Sequence, residues 1–186
     1  MSDETACGTD IARLLAAVHF AADQHRDHRR KGSIAAPYIN HPIRVAQQLA
    51  EAGCQDDVEL LMAAVLHDVI EDTETTPVQL ERRFGKAVTD IVLEVTDDKD
   101  LPEQERKLIA VSTVAAKSRR AQLLKLSDLT ANTRDVVEHP PNWTRDRKVR
   151  YFDWAENVVN QLRGIHPQLE HQFAEVLRRG RDAVKP

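Results

Sequence analysis

The stretch Val58-Glu59-Leu60-Leu61-Met62-Ala63-Ala64-Val65-Leu66-His67-Asp68-Val69-Ile70-Glu71-Asp72 decides the fold. Laid on a helix at about 100° per residue, Val58, Leu61, Met62, Val65 and Val69 form one stripe. Leu60, Leu66 and Ile70 fill the other sides, with Ala63 and Ala64 between them. A helix apolar nearly all round is a central helix enclosed by others. Its end nevertheless carries His67, Asp68, Glu71 and Asp72, with His67 in line with Glu71 and Asp68 in line with Asp72. Carboxylates so close in apolar surroundings do not stay charged without compensation, and a divalent cation supplies it.

Working outward, the periodicity predicts a helix from Ile11 to about Arg30, capped by Thr9 or Asp10 and ended by Gly32. Its apolar face is Ile11, Leu14, Leu15, Val18 and Ala22, and residues 1–8 read as a flexible tail. Pro37-Tyr38-Ile39-Asn40 loops into a helix that opens at His41-Pro42 and stops near Gly53. The central helix then covers about Asp56 to Asp72. Further helices are predicted over Pro77–Phe84, Lys86–Val95, Pro102–Lys117, Arg119–Glu138, Thr144–Arg163 and Pro167–Arg179. No stretch alternates apolar and polar residues between turn signals over five positions or more. The expected fold is all-α, a single bundle of about eight to ten helices forming one domain over residues 9–186.

The composition narrows the function. With 186 residues, 41% hydrophobic and 30% charged, the chain has the makeup of one soluble globular domain. Its 26 cationic side chains against 30 anionic ones leave a net charge of −4, which argues against a nucleic-acid binder. Apolar runs fall well short of the ~20 residues that span a bilayer, so no membrane partner is expected. The opening Met1-Ser2-Asp3-Glu4-Thr5 is not a secretory signal, and Cys7 and Cys54 stand in no metal-type spacing; both point to a reducing, cytoplasmic setting. No phosphate loop, dinucleotide fingerprint or nucleophile elbow occurs. Oligomeric state is left open.

Two distant residues complement His67-Asp68. His41 starts a helix, and Asp128 follows the aliphatic run Leu123-Leu124-Lys125-Leu126-Ser127. Two imidazoles and two carboxylates make a mixed donor set suited to Mn²⁺, Fe²⁺ or Zn²⁺ rather than Ca²⁺. Cations that suit phosphate recur: Arg26, Arg29 and Arg30 at i, i+3, i+4 with Lys31 closing the helix, and Arg145, Arg147, Lys148 and Arg150 before Tyr151.

The order His41, His67-Asp68, Asp128 resembles the H…HD…D pattern of the HD-domain metal-dependent phosphohydrolases. Arg30-Lys31, Pro37-Tyr38-Ile39-Asn40-His41-Pro42, His67-Asp68-Val69-Ile70-Glu71-Asp72-Thr73, Phe84-Gly85, Val95-Thr96-Asp97-Asp98-Lys99 and Lys125-Leu126-Ser127-Asp128 extend the likeness. Together they resemble the hydrolase domain of RelA/SpoT-type alarmone enzymes, over about residues 11 to 180. Length and ending are similar to the stand-alone small alarmone hydrolases of the metazoan SpoT homologue type.

The resemblance implies an all-α fold, one Mn²⁺ and removal of the 3′-pyrophosphate from (p)ppGpp, the degradation of a stringent-response alarmone. It implies His41, His67, Asp68 and Asp128 as metal ligands and Glu71 and Asp72 as the pair that prepares the attacking water. Arg30, Lys31, Asn132, Arg147 and Tyr151 become the nucleotide contacts. One departure stands out. The family follows its last ligand with Lys-Leu and an aromatic or His before the Asn, whereas here Asp128 is followed by Leu129-Thr130-Ala131 and then Asn132. That opens guanine preference to question and keeps in view an HD phosphohydrolase for another nucleotide, such as ppApp or NADPH. A non-catalytic alarmone-binding HD module is the other alternative, against which the intact Glu71-Asp72 pair speaks.

Overall fold

The computed structural model describes residues 4–185, with side chains from Thr9 onward. In chain order the helices are α1 (Glu4–Gln24), α2 (Asn40–Leu49), α3 (Val58–Leu66), α4 (Val69–Asp72), α5 (Pro77–Phe84), α6 (Lys86–Val95), α7 (Glu103–Thr113), α8 (Arg119–Glu138), α9 (Arg145–Asn160) and α10 (Pro167–Ala183). No strand occurs among the described residues; Arg29 and Pro37 form an isolated antiparallel bridge. The all-α expectation holds.

α3 is the centre of the molecule. Asp57 caps it by accepting the Leu60 amide at 3.1 Å, and every residue from Leu60 to Leu66 is buried. α1, α2, α6 and α8 pack around it. α8 forms a second axis: it meets α2 and α6 and carries α9 and α10. Short signals set many ends. Thr76 and Gln79 form a reciprocal capping box with Pro77 at the first position of α5, and Ser118 accepts the Ala121 amide to start α8. Beyond α2 the chain continues as a π-turn over Ala50–Cys54, released by Gly53 at φ 94°, a backbone state that favours glycine.

Four expectations are corrected. α1 begins at Glu4, so Thr9 and Asp10 lie within it; residues 1–3 of the expected tail lie outside the described residues. α1 also ends at Gln24, well before Arg30. The chain exchanges helical bonds for a hairpin in which the Arg30 amide bonds Ala36 O at 2.9 Å and the Tyr38 amide bonds His28 O at 3.1 Å. The buried face of α1 is Ala17 and Ala21 with Leu14 and Val18 beside them, while Ile11 and Leu15 are exposed. Finally, the central helix is not continuous through Asp72. It is interrupted at His67-Asp68, where Asp68 flattens to φ −97° and ψ −4°, and resumes as the short α4.

Candidate metal centre and nucleotide cavity

His41 stands in the first turn of α2, His67 at the end of α3 and Asp128 midway along α8. All three are buried, and one ligand atom from each lies within 4.8 Å of the others. Asp68 joins them, its Oδ2 3.1 Å from His67 Nε2 and 3.9 Å from His41 Nε2. Asp128 Oδ1 lies 3.2 Å from His41 Nε2 and 3.7 Å from His67 Nε2. Despite this closeness, neither Nε2 makes a hydrogen bond among the described residues. Buried imidazole nitrogens close to carboxylate oxygens but not hydrogen-bonded to them suit a shared cation.

The surrounding hydrogen bonds fit that reading. His67 Nδ1 lies 2.8 Å from Ala64 O, so the ring donates there and turns a lone pair on Nε2 inward. Tyr38 donates to Asp68 Oδ2 at 2.7 Å, and the Asn132 amide donates to Asp128 Oδ1 at 2.5 Å. Burial lowers the pKa of His41. Burial opposes charge on His67 too, but Asp68 and Asp128 outweigh it and hold the ring well above its ordinary value. Two imidazoles and two carboxylates fit a divalent transition metal.

Glu71 and Asp72 follow on α4, beside this cluster. Glu71 Oε2 accepts the Asp97 amide at 3.2 Å, and its Oε1 lies 3.8 Å from Arg106. Burial raises the Glu71 pKa above the usual carboxylate range, partly offset by the Asp97 amide. Asp72 accepts a hydrogen bond from Lys99. The interruption between α3 and α4 thus lets His67 and Asp68 face the metal cluster while Glu71 faces the cavity.

A cavity of about 820 Å³ opens onto these residues. Glu71, Asp72, Asp68 and Asp128 line its acidic side, and Arg29, Arg30, Lys31, Arg106 and Lys125 supply cations. Leu129, Val136, Trp143, Tyr151 and Trp154 give it an apolar, largely aromatic wall. The expected contacts divide. Lys31 and Tyr151 line this cavity, and the Tyr151 hydroxyl is buried without a hydrogen-bond partner among the described residues. Arg147 instead lines an adjoining recess that shares Lys31 and Trp143 with it, its guanidinium 4.5 Å from the centre of the Trp143 ring.

Arg30 and Asn132 also line the cavity but are already engaged. Arg30 donates to Asp135 at 2.9 Å and to Asn132 Oδ1 at 2.5 Å. Asp135 is held from its other side by Arg44 at 2.8 Å. The expected helical row Arg26, Arg29, Arg30 does not form. Arg26 pairs with Asp23, and Arg29 bonds the carbonyls of Arg26 and His28. Ala131 is wholly buried and absent from the cavity wall, so of the two departures from the family pattern Leu129 alone lines it.

Sequence reasoning gave no role to Tyr38, Lys125, Arg106, Asp135 or Trp143. Lys125, three residues before Asp128 and so on the same face of α8, carried a usable signal; its Nζ is 3.6 Å from Asp128 Oδ2. Arg106, Asp135 and Trp143 reach the site through tertiary folding that no local spacing announces.

The family profile for the HD domain matches residues 17–151. The chain is 44% identical over 168 residues to guanosine-3′,5′-bis(diphosphate) 3′-pyrophosphohydrolase MESH1 of Drosophila melanogaster, covering 90% of this chain and 94% of that protein. It is 44% identical over 172 residues to the Homo sapiens protein of the same name, covering 92% and 96%. A solved structure described as a metazoan ortholog of SpoT that hydrolyzes ppGpp superposes with a TM-score of 0.86 at 43% identity, covering 90% of this chain and 94% of that one. A family profile that matches residues 17–151, and relatives 44% identical over nearly their whole length, show that the chain belongs to the HD-domain family.

Proposed function

We propose that the chain is a metal-dependent (p)ppGpp 3′-pyrophosphohydrolase that returns GDP or GTP and pyrophosphate. The observation that carries this reading is the meeting of His41, His67, Asp68 and Asp128 beside a cavity that the two aspartates line together with Glu71 and several Arg and Lys side chains. In this reading those four residues hold Mn²⁺. A bound divalent ion lowers the pKa of a coordinated water and offsets charge on phosphate oxygens. Glu71 takes the proton of the attacking water, a role its raised pKa suits. Asp72, held by Lys99, orients that water with it.

The water oxygen joins the phosphorus attached to the 3′ oxygen, that phosphorus–oxygen bond breaks, and the 3′ oxygen leaves with the proton that Glu71 took from the water. Lys31 and Arg147 receive phosphate charge, and Tyr151 packs against the nucleoside. Arg30 and Asn132 hold Asp128 in place and offer their remaining N–H groups to the substrate. The free Cys54 thiol accords with a cytoplasmic location. Incubation of the Mn²⁺-loaded protein with ppGpp, followed by chromatography of nucleotides and a pyrophosphate assay, tests the reading. Equimolar GDP and pyrophosphate that vanish with EDTA are expected, and an unchanged substrate overturns it.

A further inference from the structure

Asp97, Arg106 and Lys125 line the main cavity and also a second, smaller one of about 190 Å³ between the end of α6 and α7. Lys117 lines the smaller cavity alone. Three cations therefore meet in a narrow space that Asp97 and Asp98 also line, and their ion pairs with Glu71 and Asp128 are long. Arg106 Nε is buried without a hydrogen-bond partner among the described residues, and the nearest approach of its guanidinium to Glu71 is 3.8 Å. Lys125 Nζ stands 3.6 Å from Asp128, beyond hydrogen-bonding distance. Lys117 donates to the main-chain carbonyl of Glu94, not to a carboxylate. Burial and the neighbouring Lys125 charge push the Lys117 ammonium down in pKa. Among the described residues, none of the three donates a hydrogen bond to a carboxylate, so their N–H groups stay open to a multiply charged anion. No aromatic ring lines the smaller cavity, so a nucleobase has no stacking surface there.

We infer that Arg106, Lys125 and Lys117 form the seat of the distal phosphate of a 3′-diphosphate, and of inorganic pyrophosphate once it is released. The inference rests on the function proposed above and deepens it: the corner is what selects a 3′-diphosphate over a 3′-monophosphate. The bond between the two phosphates stays intact, and the distal one serves as a handle.

The Mn²⁺-loaded wild type, Arg106→Gln and Lys117→Gln are compared for kcat/KM on guanosine 5′-diphosphate 3′-diphosphate and its 3′-monophosphate analogue, and for inhibition by pyrophosphate. The wild type is expected to favour the diphosphate. Each variant should narrow that ratio about tenfold or more and weaken pyrophosphate inhibition alike, the scale of one lost charge-assisted hydrogen bond. Because Arg106 also approaches Glu71, Lys117→Gln carries the decision, and Lys117→Arg should restore the ratio. A ratio untouched by Lys117→Gln overturns the inference. If the wild type cleaves neither nucleotide, the proposed function fails separately. Calorimetric binding of pyrophosphate then judges the corner: weaker binding by Lys117→Gln sustains it, and equal binding overturns it.

Discussion

Burial lifts the Glu71 carboxyl above the usual carboxylate range, and the charges of Asp68, Asp97 and Asp72 add to the shift. The folded protein thus holds the Glu71 proton more tightly than the unfolded chain does. Stability from this group is present at low pH and is lost as pH rises from the ordinary carboxylate value through the raised one. Glu71→Gln removes the ionisation, so the metal-free variant should melt above the metal-free wild type at neutral pH and close to it in acid. Calorimetry at both pH values checks this. In the metal-loaded enzyme the same change should cut turnover about 100-fold or more while metal content is retained. Near-wild-type turnover would make Glu71 a bystander. His67→Ala and Asp128→Ala should act differently, because each leaves the cluster with one ligand fewer. Elemental analysis after gel filtration should find the divalent ion lost from both, and full occupancy in either would remove that residue from the ligand set.

The hairpin between α1 and α2 shows what an element can do that its residues cannot do singly. It carries Arg30, Lys31 and Tyr38, and it is pinned where Gly32 passes the end of α8: a Cβ on Gly32 would stand 2.7 Å from the carbonyl oxygen of His139. That obstacle is main chain and cannot swing aside. Gly32→Ala should therefore lift the hairpin, strain the Arg30–Asp135 contact and cost about 1–3 kcal/mol of stability. Thermal melting and KM measure it, with KM expected to rise more than kcat falls. Helices with local punctuation were legible in the sequence: α5, α6 and α8 have the expected limits, marked by Thr76-Pro77, Gly85 and Ser118. The end of α1 was not, because no glycine or proline stops it. It stops where the backbone of 28–30 finds partners at 36–38 and His25 packs on Tyr38 with ring centres 4.8 Å apart. The break at His67-Asp68 was hidden for the same reason, since its partners Asp128 and Tyr38 come from remote parts of the chain. His67-Asp68 and Asp128 could be singled out as ionisable residues that end aliphatic runs, whereas His41 follows a loop and joined them through the order of the family pattern.

At the scale of the whole molecule, the floor of the cavity and its wall have different origins. His41, His67 and Asp128 stand on α2, α3 and α8, which pack on one another in the core. The apolar wall, which the proposed function assigns to the nucleoside, is Leu129 with Val136, Trp143, Tyr151 and Trp154. These side chains offer stacking and apolar contact, with few groups to read the edge of a base. Hydrolysis of ppGpp is accordingly expected to exceed that of ppApp by only about tenfold in kcat/KM, or ~1.4 kcal/mol. Parallel assays of the two decide, and a ratio in the thousands would mean that Asn132 or main-chain groups read guanine. The interlocked helices under the floor tolerate little change, because each ligand is also part of a packed core. The hairpin and the first turns of α9 pack less deeply, with Lys31 and Arg147 exposed. Descendants of such a chain can exchange rim residues one at a time, each step leaving the metal cluster assembled. New nucleotide preferences are then within reach of ordinary genetic drift, while the reaction itself stays inherited.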